Sequence, residues 1–163
     1  MTAPIDERFA LALSRFERAL TRLHEVLAQP ENEFIRDATI QRFEFTFETA
    51  WKAMYRWLRA RGVDADEDAY SAIPEAFRRR LITDEKRWGD MRKYRNLTSH
   101  TYNEPLAIEV AAFVRHDAAP TLDALLQALR ERAPGATPPA SASKPPPSLR
   151  CAPCASERPG STG

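Results

Sequence analysis

Cysteine is nearly missing from this 163-residue chain, with only Cys151 and Cys154, and both lie beyond residue 132. As an isolated CAPC they lack the second ligand pair of a structural zinc site and the strand–helix context of a redox motif. Neither a disulfide framework nor a structural metal centre is expected. Histidine is limited to three residues and glycine to five, of which only Gly62 and Gly89 precede residue 133. That scarcity argues against a glycine-rich phosphate loop and against a turn-rich all-β fold. No cofactor is expected. No apolar run nears the ~18 residues of a membrane span. The opening MTAPIDERFALAL has acidic residues early and no leader-type apolar stretch with a cleavage site, so a cytoplasmic location is expected.

Proline is plentiful at one end only. Eight of the 13 prolines follow residue 132, in a segment with one large aliphatic residue, Leu149, and no aromatic. Such a composition buries too little apolar surface to offset its ordering entropy. The expected organisation is one domain over residues 1–132 and a disordered tail over 133–163. The formal net charge is +1, which excludes a generic polyanion binder. The charge is nonetheless unevenly placed. Arg78, Arg79, Arg80, Lys86, Arg87, Arg92, Lys93 and Arg95 crowd into a stretch holding only Asp84, Glu85 and Asp90 as counter-charges. Taken alone, such a run reads as a solvated helix face.

What the first 132 residues do contain is helical periodicity. Ile5, Phe9, Leu13, Phe16, Leu20, Leu23 and Leu27 recur at three and four, predicting a first helix that ends near Gln29-Pro30. A second is predicted from about Phe34–Asp37 to Gly62, with Ile40, Phe43, Phe47, Ala50, Trp51, Met54 and Leu58 in one stripe. Phe45 and Trp57 widen that stripe, which suits a central helix or one with a partner outside its own domain. A short helix is predicted over Ile73–Ile82 with Pro74 in its first turn, and a fourth from a cap at Thr83 or Asp84 to about Tyr102. The last is predicted over Leu106–Arg132, bent near His116–Ala119 by the interior Pro120. The fold class is all-α: an antiparallel helical bundle of four long helices and one short one.

The fourth helix ends in Arg95-Asn96-Leu97-Thr98-Ser99-His100-Thr101-Tyr102. If helical throughout, it sets Arg95 and Tyr102 two turns apart on one side, continuing the stripe of Trp88 and Met91. An apolar stripe that turns into Arg and Tyr suggests a cleft or an interface, because arginine is rarely buried unpaired. His100 has the intrinsic pKa for proton transfer near neutrality. Arg95 presents a planar cationic fork suited to phosphate oxygens, and Asn96 can position either partner. Such a set can cut an RNA phosphodiester without a metal, and a symmetric dimer would double it. A histidine near a helix end also serves as a cap facing the helix dipole, and that reading stays open. Glu44 and Glu48, four apart, form an acidic ridge that reads best as pairing with Arg or Lys.

RNLTSHTY, preceded by EAFRRRLITDEKRWGDM, and DATIQRFEFTFETAWKAM on the second helix resemble the HEPN family. Within it they resemble the toxins of HEPN/MNT toxin–antitoxin systems, described earlier as nucleotidyltransferase substrate-binding proteins. The resemblance spans about Phe9 to Arg130. It implies a metal-independent endoribonuclease with Arg95 and His100 as the catalytic pair and Asn96 as the polar residue beside them. Tyr102 matches the tyrosine that a partner nucleotidyltransferase modifies with AMP. It also implies a homodimer, an RNA substrate and a nucleotidyltransferase antitoxin as partner. Arg92, Lys93 and Arg87, from the basic run, are the candidate RNA contacts. The alternative it leaves open is a noncatalytic substrate- or nucleotide-binding subunit of a nucleotidyltransferase.

Overall fold

A computed structural model describes residues 4–133. The expected tail, apart from Ala133, and the CAPC cysteines lie outside the described residues. Within them the chain forms α1 (Pro4–Leu27), α2 (Glu33–Ala60), α3 (Ala69–Arg78), α4 (Glu85–Leu97), a 3₁₀ turn (Thr98–His100), α5 (Glu104–Phe113), a π turn (Val114–Ala118) and α6 (Ala119–Glu131). Helices account for nearly everything described, and no strand occurs there. The all-α expectation holds, with the last predicted helix realised as α5, the π turn and α6 in one continuous run.

α2 is the central element and touches every other helix. Its position follows from its composition. Phe43, Ala50, Ala53, Met54 and Leu58 are fully buried, and Phe47 and Trp57 nearly so, on more than one side of the helix. Phe16, Leu20 and Leu23 of α1 close one flank, and Leu122, Leu125 and Leu129 of α6 belong to the same core. Burying one such side chain contributes roughly 1.5–3 kcal/mol, so this shared seam holds the bundle together. Asn32 caps the start of α2 by accepting from the Ile35 amide at 2.9 Å. At its end Gly62 adopts φ +73°. The Gly62 amide donates to the Arg59 carbonyl at 3.0 Å, and the Val63 amide donates to that of Leu58 at 3.1 Å. This is the Schellman arrangement, with Val63 and Leu58 both buried beside it.

Several boundaries differ from the sequence-based expectation, among them the end of α3, at Arg78 and not Ile82. α3 starts four residues early, because Asp68 caps it from within the polar linker by accepting from the Ser71 amide at 2.7 Å. Pro74 is therefore an interior residue of α3 and not a first-turn one. α4 stops at Leu97, not Tyr102. The residues that follow carry hydroxyls that bond back to nearby carbonyls: Thr98 to Arg95 at 2.6 Å, Ser99 to Asn96 at 3.1 Å and Thr101 to Thr98 at 2.8 Å. Such local bonds compete with the α-helical ladder. Pro120 is accommodated as the second residue of α6, just after the π turn, across which the Ala119 amide donates to the Val114 carbonyl five residues back.

Candidate functional site

α4 presents three different faces. Trp88 and Met91 point into the core, where the Trp88 ring lies 6.3 Å from that of Phe47 on α2. Tyr94 stacks on Phe113 of α5 at 4.1 Å and donates to the Glu109 carboxylate at 2.8 Å. That bond, together with partial burial and the neighbouring carboxylates, raises the Tyr94 phenol above its ordinary value. The remaining face carries Arg92, Arg95 and Asn96, spaced three and four apart. These line a cavity of about 210 Å³ with Phe47, Glu48, Trp51 and Tyr70.

Charge in this cavity is organised around Glu48. Burial opposes its ionisation. Hydrogen bonds from Lys52 and Trp51, with the positive fields of Lys52 and Arg95, outweigh that cost and hold the carboxyl below its ordinary range. Lys52 lies at 2.8 Å and the Trp51 indole N–H at 2.9 Å. Among the described residues no carboxylate comes within 4 Å of the Arg95 guanidinium, since Glu48 is taken by Lys52. The Arg92 guanidinium lies over the Tyr70 ring, its central carbon 4.0 Å from the ring centre.

Tyr102 stands beside a second, wider groove of about 580 Å³, with Asp37, Gln41, Glu44, Thr98 and Thr101. Its side chain is 88% exposed. The apolar stripe of Trp88 and Met91 therefore does not run on through Arg95 to Tyr102. Arg95 is exposed and Thr98 is the next buried residue, because the helix ends at Leu97 and the chain turns. His100 closes the 3₁₀ turn, exposed, with its ring edge-on to Tyr102 at 6.2 Å. The structure thus brings Arg95, Asn96 and Arg92 to one cavity, and sets His100 with Tyr102 around the corner. Lys93 is exposed and lines neither cavity. Arg87 is placed differently: its guanidinium pairs with Asp117 on the π turn, with Asp84 at 3.9 Å.

Three contributors escaped the sequence reading. Thr98 is buried and donates to Glu44, so Glu44 pairs with a hydroxyl instead of a cation. Trp51 and Tyr70 wall the Arg95 cavity. The expected pairing of the acidic ridge with a basic residue is seen for Glu48 alone. Among the described residues no group of three or more His, Cys, Asp or Glu could hold a metal ion, and no helix is long and apolar enough to cross a membrane.

Comparison with known proteins gives the family. A Haemophilus influenzae protein named probable ribonuclease HepT is 38% identical over 97 residues, 57% of this chain. The match spans 66% of that relative's own length. A Thermus thermophilus protein of known crystal structure superposes with a TM-score of 0.65 at 36% identity, covering 71% of this chain and 98% of that one. A Haemophilus influenzae protein superposes with a TM-score of 0.56 at 28% identity, covering 77% of this chain and 98% of that one. Its structure is described as revealing the fold of a substrate binding domain of a nucleotidyltransferase. The model of the family described as nucleotidyltransferase substrate binding protein like matches residues 9–131. The match takes in all of α2 to α6 and most of α1, and so the chain belongs to that family.

Proposed function

We propose that this protein is a metal-independent endoribonuclease toxin, silenced when a partner nucleotidyltransferase attaches AMP to Tyr102. The observation that carries the reading is the state of Arg95: a cation beside an aromatic-walled cavity, with no described carboxylate within pairing distance. A phosphodiester is the group that such a cation fits. In the proposed mechanism His100 takes the proton from the 2′-hydroxyl. The resulting oxyanion attacks the adjacent phosphorus, the bond to the 5′-oxygen breaks, and a protonated His100 of the second subunit supplies the leaving oxygen with its proton. Arg95 stabilises the charge on the non-bridging oxygens, and Asn96 positions them. The products are a 2′,3′-cyclic phosphate and a 5′-hydroxyl.

A homodimer is part of the proposal, because one chain offers a single Arg95 and a single His100. Phe34 and Phe45, exposed and eleven residues apart on one side of α2, give a second copy two aromatic side chains to cover. Arg92 and Lys93 are the proposed RNA contacts. Arg87 is the weaker member of that set, since Asp117 already holds it. The name of the 38% identical relative supports the ribonuclease reading. Cytoplasmic location and the division into a catalytic unit, 1–132, and an appended segment, 133–163, complete the proposal.

The test is incubation of the purified full chain with total RNA in excess EDTA, beside Arg95→Ala and His100→Ala. Cleavage by the parent alone, leaving cyclic phosphate ends, is the expected result. No cleavage by protein whose intact mass shows Tyr102 unmodified overturns it. The weight then passes to a noncatalytic binding subunit, which the description of the 28% identical structure favours.

A further inference from the structure

We infer that the cavity beside Arg95 is a nucleobase pocket, which seats one base of a single-stranded RNA and prefers a base with an exocyclic amino group. The inference rests on the ribonuclease reading for the identity of its ligand, but the pocket itself is argued from its walls.

The first observation is shape. A cavity of about 210 Å³ lies below the ~300–1,000 Å³ of sites that enclose drug-sized molecules. It has room for one planar ring system and little else. The second is the walls. Phe47 and Trp51 form an apolar floor, and Tyr70 stands 65% exposed at the mouth. A large aromatic left in solvent over an apolar floor supplies a π-face on which a base can stack. Arg92 covers one face of the Tyr70 ring and holds it in place, while the side chain stays 65% exposed. The third is phosphate reach. Arg92 and Arg95 stand at the same cavity, so a stacked base carries its own phosphate toward cationic forks.

Stacking accepts any base, so selectivity falls to the polar edge, where Glu48, Glu67 and Asp68 supply acceptors and Arg92 and Arg95 are the cations that take the phosphate. Glu48 is ionised, and each of its oxygens accepts one protein hydrogen bond, from Trp51 and from Lys52. Each has lone-pair capacity remaining. Asp68, also lining the cavity, is anchored as the α3 cap. Carboxylates accept from the amino group of cytosine and oppose the carbonyl oxygen that uracil carries at the same place. Asn96 can serve either base and does not discriminate.

The test uses the full chain carrying His100→Ala, so that strands survive, and labelled oligocytidylate and oligouridylate of equal length. Affinities are read by fluorescence anisotropy. The expected result is binding of oligocytidylate about tenfold tighter than oligouridylate. Glu48→Gln replaces an acceptor oxygen with a donor. It is expected to bind oligouridylate more tightly than its parent and close the gap, a gain that misfolding cannot mimic. Tyr70→Ala is expected to weaken both strands about tenfold, since base–aromatic stacking is sequence-tolerant. Equal affinities in the parent, no binding of either strand, or a gap unchanged in Glu48→Gln overturns the pocket. Cleavage by the His100-containing chain is measured alongside. Base preference without cleavage keeps the pocket and removes the nuclease; cleavage without preference does the reverse.

Discussion

Thr98, buried at the end of α4, donates its hydroxyl to the Glu44 carboxylate on α2, fifty-four residues earlier in the chain. This side-chain bond ties the end of α4 and the turn that follows to α2. Arg95 and Asn96 precede the tie, and His100 and Tyr102 follow it, so both halves of the proposed site take their bearing from it. Thr98→Val keeps the shape and removes the donor. The expected cost is about 1–3 kcal/mol, because a part-buried carboxylate loses a partner. RNA cleavage is expected to fall more than strand binding does, since the bases stack on elements that remain in place. Urea titration and a kcat-against-KM comparison check the two effects.

The carbonyl end of α3 holds a local strain. Arg80 takes φ +58° where the chain leaves the helix, in the position that Gly62 fills after α2. The Leu81 amide donates to the Ala76 carbonyl at 2.9 Å, repeating the α2 arrangement. A side chain in the left-handed region costs roughly 1–2 kcal/mol, offset in part by the ~0.5–1 kcal/mol of extra chain entropy that glycine loses on folding. Arg80→Gly is therefore expected to raise stability by up to ~1 kcal/mol, visible as a higher denaturation midpoint at unchanged slope.

The two ends of α4 show what a sequence makes legible. Its start was readable, because Asp84 followed by an amphipathic run is a local signal, and the Asp84 carboxylate does accept from the Arg87 amide at 2.9 Å. Its end was not. Spacing alone extends the helix through Tyr102, and only the hydroxyls of Thr98, Ser99 and Thr101, bonding back to carbonyls, stop it. The stripes of α1 and α2 were legible for the same reason as the start of α4: burial repeats at three and four. The cavity walls were hidden for the opposite reason. Trp51 and Tyr70 meet Arg95 only through the packing of α2 and α3 against α4, and no spacing within one segment encodes that meeting. Glu44 and Glu48 look alike in sequence, yet one meets a hydroxyl and the other a lysine.

Tyr94 gives the fold a sensitivity to high pH. Its hydrogen bond to Glu109 favours the neutral phenol, so the folded pKa lies above the ordinary 10.0. A raised pKa means that the contribution is fully present below pH 10 and is lost as pH climbs through the folded value. Tyr94→Phe is expected to lower stability at neutral pH by about 1 kcal/mol while flattening the decline above pH 10. Thermal melts from pH 7 to 11 test this. Parallel curves for the two proteins would show that the bond makes no such contribution.

Glu48 acts at the other end of the scale. Its carboxyl titrates below the ordinary 4.5, because the bonds from Lys52 and Trp51 outweigh burial. A depressed pKa gives stability that is present above that value and lost as pH falls through the folded one. The carboxylate is more than a third exposed, so solvent screening keeps the effect small. Glu48→Gln is expected to lower the melting temperature slightly at pH 7–8 and to flatten its decline below pH 4.5, so that the two proteins converge in acid.

Tyr102 separates regulation from folding more cleanly than any other residue of the site. At 88% exposure its ring contributes little burial, so Tyr102→Phe is expected to change stability by no more than ~0.5 kcal/mol. The substitution removes only the hydroxyl. If the toxin reading holds, Tyr102→Phe retains RNA cleavage, because Arg95, Asn96 and His100 are intact. It also becomes insensitive to the partner nucleotidyltransferase and ATP. An AMP group on the parent adds negative charge beside His100, whose ring lies 6.2 Å away, and that charge repels an approaching RNA phosphate. The expected pattern is loss of cleavage with a matching gain in intact mass for the parent, and neither change for Tyr102→Phe. A mass gain on Tyr102→Phe would move the modification to another residue. Loss of cleavage in unmodified Tyr102→Phe would make the hydroxyl part of the reaction itself.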